Sequence, residues 1–125
     1  MKMHYLYFIL TILLCTSCFQ PERNCTYFKN GEFTFETYLN GELVTTRFTR
    51  NDTLEIDYFQ NKVDSSSIRW INDCEFIVRK LNPKSRTDKK AIHMKILNTD
   101  GDFYTFEYAI VGETTKQIGT AKKVN

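Results

Sequence analysis

The feature that most limits how this chain can fold is a two-residue rhythm, broken at short intervals by turn dipeptides. In "GEFTFETYL", residues 31–39, Phe33, Phe35, Thr37 and Leu39 share one face while Glu32, Thr34, Glu36 and Tyr38 share the other. Successive strand side chains point to opposite sides, so this pattern predicts a strand with one buried face. Asn40-Gly41 follows at once and suits a type I′ hairpin turn, because both residues tolerate positive φ. "ELVTTRFTR" then returns with Val44, Thr46 and Phe48 on one side, and Asn51-Asp52 marks the next turn.

The rhythm continues along the chain. "TLEIDYF" is read with Leu54, Ile56 and Tyr58 inward, and Glu55 and Asp57 on a solvated face. "QNKVDSSS" is polar and is read as a connection. "SSIRWI" puts Ile68 and Trp70 on one face, and Asn72-Asp73 turns the chain into "CEFIVRKL". "NPKSRTDKK" breaks the pattern as a loop. "AIHMKIL" alternates Ile92, Met94 and Ile96 with His93 and Lys95, and "NTDG" is another turn. "DFYTFEYAIV" and "TKQIGTAKKV" complete eight strand candidates. No window of ten or more residues has a convincing helical period.

Sequential hairpins predict an all-β, antiparallel up-and-down meander. Eight strands can close into a small lipocalin-like barrel, which removes exposed sheet edges. A two-sheet sandwich needs the same alternation and is the alternative. A barrel of this size is either filled by side chains or holds one small ligand. The 125-residue chain has room for one such domain. Its net charge of +2 gives no electrostatic case for nucleic acid as a partner.

The N-terminus has a different character. "MKMHYLYFILTILLCTSC" opens on Lys2, continues through the mostly apolar stretch 6–14, and ends with Thr16, Ser17 and Cys18. The apolar run is too short to span a bilayer, which needs about 20 residues, and has the length of a signal-peptide core. The sequence resembles the lipobox of bacterial lipoproteins, although Cys15 stands where that motif usually has Leu. The resemblance implies cleavage between Ser17 and Cys18, and lipid attachment at Cys18. It divides the chain into a signal peptide at 1–17, a lipidated tether at 18–30 and a single β domain at 31–125. Phe19 rather than Asp after the Cys implies the outer membrane of a diderm envelope, with the facing side open. One acyl chain anchors marginally, whereas two or three hold firmly.

Processing would remove Cys15 and lipidation would use Cys18, leaving Cys25 and Cys74. In an oxidising exported compartment two such thiols are expected to pair. No C-x-x-C follows Cys18 and His93 is the only histidine beyond the leader, so a four-ligand zinc site is not expected.

"FTRNDTLEIDYF", "SSIRWINDCEFIVRKLNPK" and "KAIHMKIL" resemble the shared core of a family of short bacterial lipoproteins that often carries the label "DNA topoisomerase IV". The likeness spans nearly all of the chain beyond the leader. It does not imply the labelled activity, since the chain has no glycine-rich nucleotide loop, no acidic metal cluster and no space for a DNA gate.

Candidate chemistry is sparse. Arg69 and Trp70, in "RWINDCE", could grip an anionic or planar ligand, though Trp70 shares a face with Ile68 and reads as a core anchor. Asp52, Glu55 and Asp57 beside Arg50 could suggest glycoside hydrolysis, but the alternation assigns Glu55 and Asp57 to water. "PKSRTDKK" could touch anionic lipid heads. His93 falls on a polar face without a triad partner. No catalytic residue, cofactor or metal is therefore expected. The expected role is a non-enzymatic module at the cell envelope that binds a small apolar ligand or an envelope protein. A small envelope hydrolase, or an inhibitor of one, is the alternative.

Overall fold

A computed structural model describes residues 23–125. The leader, Cys15, the Ser17–Cys18 junction and the lipid site lie outside the described residues.

Eight strands follow one another: β1 (Gly31–Leu39), β2 (Glu42–Arg50), β3 (Leu54–Phe59), β4 (Lys62–Asn72), β5 (Glu75–Lys80), β6 (Ile92–Asp100), β7 (Phe103–Ile110) and β8 (Gln117–Lys123). Each pairs antiparallel with the next, and β1 pairs with β8, so the meander closes into a barrel. The sandwich alternative is excluded. The closing ladder is short, with Phe33 opposite Lys123, Thr34 opposite Lys122 and Phe35 opposite Ala121. Glu32 extends it by donating its N–H to Asn125 O at 3.0 Å and accepting from Val124 N at 2.8 Å. Gly31, at φ 137°, is required at this seam, because a Cβ there would lie 2.6 Å from Asn125 O.

The turns explain one misreading. Asn40 and Gly41 both have positive φ, as the Asn-Gly signal predicts. Gln60 and Asn61 have the same backbone sign without any glycine. "QNKVDSSS" is therefore not a connection: only residues 60–61 turn, and from Lys62 the segment belongs to β4. Lys62 and Asp64 are exposed near the Gln60-Asn61 turn, whereas Ser66 is buried opposite Glu55.

One end of the barrel is closed. A 3₁₀ turn, Cys25–Phe28, packs into it with Cys25 and Phe28 buried, so the last part of the expected 18–30 tether belongs to the core. Phe28 is fully buried against Tyr104 and Phe33, with ring centroids 4.9 Å and 6.5 Å away. Covalent and polar attachments fix the turn. The Cys25–Cys74 disulfide ties it to the β4–β5 turn. Tyr27 Oη donates to Asp102 at 2.7 Å, and Lys29 Nζ meets Asp73 at 2.9 Å. Asn24 N–H donates to Thr99 Oγ1 at 2.9 Å. Above the turn, Phe33, Phe48, Phe76, Ile96, Tyr104 and Phe106 form a mainly aromatic floor.

Candidate ligand-binding cavity

Strand parity decides what faces inward. Phe33 and Phe35 of β1, Phe48 of β2, Ile92, Met94 and Ile96 of β6, and Phe106 of β7 enter the barrel, as the alternation predicts for β1, β2 and β6. Strand β3 is inverted relative to its reading. Leu54, Ile56 and Tyr58 are only partly buried, while Glu55 is buried and, with Asp57, lines the interior. Register is the physical reason. Arg50 pairs with Glu55 and Phe48 with Asp57, and cross-strand partners share a face. The inward parity of Phe48 therefore carries Arg50, Glu55 and Asp57 into the barrel, against the hydropathy of β3. On the outside, the apolar β3 residues are partly covered by neighbours, with the Arg47 guanidinium 4.2 Å from the Tyr58 ring centre.

Arg50 is the centre of the floor. Its side chain is 1% exposed and every nitrogen donates: Nε to Glu55 Oε2 at 2.8 Å, Nη1 to Phe28 O at 3.0 Å, and Nη2 to Tyr104 Oη at 3.1 Å. Aromatic rings surround it, with Phe76 at 4.7 Å and Phe33 at 5.0 Å from the guanidinium carbon. Burial alone would lower the Arg50 pKa, but Tyr104 and Glu55 outweigh it and hold the group above its ordinary value. A buried charge survives only when paired and hydrogen-bonded, and these partners meet that condition. Burial pushes the Tyr104 hydroxyl up, so it stays protonated at neutral pH.

Above this floor the barrel is open. A cavity of about 450 Å³ is lined by Phe35, Phe48, Met94, Phe106 and Tyr108, with Val78, Ile92 and Ile110 paired at one level nearer the 81–91 loop. The polar lining residues are Glu55, Asp57, Ser66 and Thr46 on the wall, and Lys80, Thr87, Asp88 and Lys90 at the rim, while most of the exposed cavity surface is apolar. Gly119 shapes one side. A Cβ at this position would lie 2.8 Å from Phe106 Cζ and 2.9 Å from Phe35 Cε2, so its absence lets both rings lie against the β8 backbone.

Asp57 is the unusual group. Burial pushes its carboxyl up to about 7, the charge of Glu55 adds to this, and Arg50 and Lys80 oppose it only in part. Rim cations are held elsewhere, with Lys80 Nζ 3.2 Å from Asp88 and Lys90 Nζ 3.8 Å from Glu113. Because the folded pKa lies above the unfolded value of about 3.9, the native state holds the proton more tightly between these pH values. Stability contributed by Asp57 is thus fully present below about pH 4 and is lost as pH rises through about 7. Asp57→Asn should stabilise the protein by roughly 1–3 kcal/mol at pH 8 and leave it nearly unchanged at pH 4. Urea unfolding of both forms at the two pH values measures this, and equal stability at pH 8 would refute it.

The other expected site residues are dispersed. Arg69 is exposed on the outer face, whereas Trp70 packs inside on Phe76 with centroids 4.5 Å apart and Lys29 Nζ 4.8 Å from its ring, so the two form no common site. Trp70 Nε1 is buried without a hydrogen-bond partner among the described residues. Asp52 is exposed in the β2–β3 turn. His93 faces outward beside Glu75, at 3.5 Å. In the 81–91 loop, Asp88 accepts from Lys84 N and Lys80 Nζ, each at 3.2 Å, and these contacts hold its carboxyl below the usual range. Among the described residues no group of three or more His, Cys, Asp or Glu could hold a metal ion, and no helix is long and apolar enough to cross a membrane.

The molecule is thus a small closed up-and-down β-barrel, plugged at one end and hollow at the other. Compared with known proteins, the chain matches no family model, no curated protein and no solved structure.

Proposed function

We propose that this protein is a lipid-anchored cell-envelope binding module that takes a small, largely apolar ligand into its barrel. The observation that carries this reading is the interior cavity. Its size and its mainly apolar surface, with polar groups on one wall and at the rim, are those of pockets that bury small molecules. A barrel meant only as a scaffold would fill this space with side chains, because unfilled volume costs stability.

The enzyme alternative has one observation in its favour, two interior carboxylates of which one has a raised pKa. Their placement argues against glycoside hydrolysis. Glu55 and Asp57 are two residues apart on one strand, so they stand on the same wall and cannot flank a scissile bond. Glu55 is also committed to Arg50.

Anchoring at Cys18 fits this reading. The 3₁₀ turn begins at Cys25, at the closed end of the barrel. Residues 18–25 can span at most about 25 Å, so the closed end would face the membrane and the mouth would face away. The ligand would then be captured from the aqueous side. Cys18→Ala should abolish incorporation of a fatty-acid label in cells, and undiminished label would remove the lipid anchor from the proposal. Binding is tested by calorimetric titration of 1-octanol against the full chain in lipid nanodiscs. Val78→Trp should weaken it tenfold or more by filling the cavity; unchanged affinity would contradict an interior site.

A further inference from the structure

The cavity's charge arrangement goes further than its apolar lining. An amphipathic ligand must place its head group against the polar wall, and the groups there are unequal. Arg50 lies within the floor with all of its nitrogens donating. Lys80 is engaged by Asp88, and Lys90 by Glu113. Each cation at the cavity therefore already has a carboxylate partner among the described residues.

Asp57 does not have the reverse arrangement. No hydrogen bond or ion pair from the described residues within 4 Å meets its carboxylate. The groups that act on it come from every neighbouring element: Glu55 on its own strand, Arg50 on β2, Asp64 on β4 and Lys80 on β5. Asp64 is its direct cross-strand partner, so two acidic residues face each other across the β3–β4 ladder. Like charges directly opposite in an antiparallel pair are destabilising. A cation between the cavity and the mouth would relieve that repulsion and neutralise a half-buried acid.

We infer that the cavity selects amphipathic ligands bearing a protonated amine, with Asp57 as the counter-ion, Asp64 beside it toward the mouth, and the apolar tail among Phe35, Met94 and Phe106. This rests on the reading of the barrel as a ligand carrier and adds the ligand's charge. A carboxylate-headed lipid of the same length finds no unpaired cation inside and meets the repulsion of Asp57 and Glu55. The ammonium–carboxylate bond is charge-assisted and forms away from bulk water, which makes it one of the stronger polar contacts available.

The carboxyl's elevated pKa gives the selectivity a pH signature. Asp57 titrates at about 7 in the free protein, whereas a primary alkylamine stays protonated well above that value. If only the ionised carboxylate binds, affinity for the amine rises about 30-fold from pH 5.5 to pH 8.5. Affinity for a neutral ligand of the same length stays flat.

The test is isothermal calorimetry on the full chain in lipid nanodiscs, with empty nanodiscs subtracted, using octylamine, 1-octanol and octanoate. Octylamine is expected to bind at least tenfold more tightly than octanoate at pH 8.5. Asp57→Asn should erase that preference, and a methyl NMR spectrum of the variant that matches the parent's certifies an intact cavity. Should the variant fail to fold, the pH titration of the unaltered chain carries the test alone. Octanoate binding as tightly as octylamine, or amine affinity independent of pH, overturns the amine assignment and leaves the carrier reading standing. Failure of all three probes to bind overturns the carrier reading itself.

Discussion

Arg50→Ala is expected to destabilise the barrel by about 3–5 kcal/mol, the largest effect of any single surface-silent substitution we foresee. The change would remove three hydrogen bonds at once. More costly, it would leave the Glu55 carboxyl without its partner at a site where its side chain is only 12% exposed. Truncating one member of a buried pair leaves the other's desolvation uncompensated, and that exceeds the net worth of the pair. The double variant Arg50→Met, Glu55→Leu should recover more than half of the loss, since it leaves no orphaned charge. Full recovery is not expected, because Phe28 O and Tyr104 Oη would still lack their donor. Equilibrium urea unfolding of the two variants and the parent decides the matter. A loss below 1 kcal/mol for Arg50→Ala, or a double variant no better than the single one, would show that the buried pair is not what anchors the floor.

Removing the Cys25–Cys74 bridge should cost about 4 kcal/mol, from a loop of about 50 residues in the chain-entropy treatment. The residues are 49 apart, and the bridge joins the plug to the β4–β5 turn. Cross-linking limits the unfolded ensemble, and here it also keeps Phe28 seated against the underside of the aromatic floor. The check is guanidinium unfolding of the parent and of Cys25→Ala, Cys74→Ala, each with and without reductant. Reductant should lower the parent's midpoint to that of the variant and leave the variant's unmoved. A parent insensitive to reductant would falsify the stabilising role given to the bridge.

The strands were legible because alternation and turn chemistry agree over most of the chain. Asn40-Gly41 announces its hairpin, and the Asn51 and Asn72 side chains cap their turns by accepting backbone N–H bonds, as such residues are expected to. The Gln60-Asn61 turn was not legible, because glycine is the usual signal for positive φ and neither residue is glycine. The interior carboxylates were missed for a sharper reason. Hydropathy applied to β3 alone puts Leu54, Ile56 and Tyr58 inside. The hairpin carries better information, since Arg50 shares the parity of Phe48 and a short turn pairs it with Glu55. Register overrode hydropathy, because one strand must follow the parity its neighbours impose. The cavity itself has no local signature. It arises from the summed size of side chains on several strands, which no single segment encodes.

The most direct test of a ligand-carrying barrel is a methyl NMR titration of the full chain in lipid nanodiscs with 1-octanol. Val78, Ile92, Met94 and Ile110 line the cavity, whereas Leu43, Val63 and Ile118 are exposed at 53%, 61% and 69%. Saturable shifts confined to the interior methyls are the predicted result. Saturable shifts on Leu43 and Ile118 with a silent interior would contradict the account and move the binding surface to the outside of the barrel.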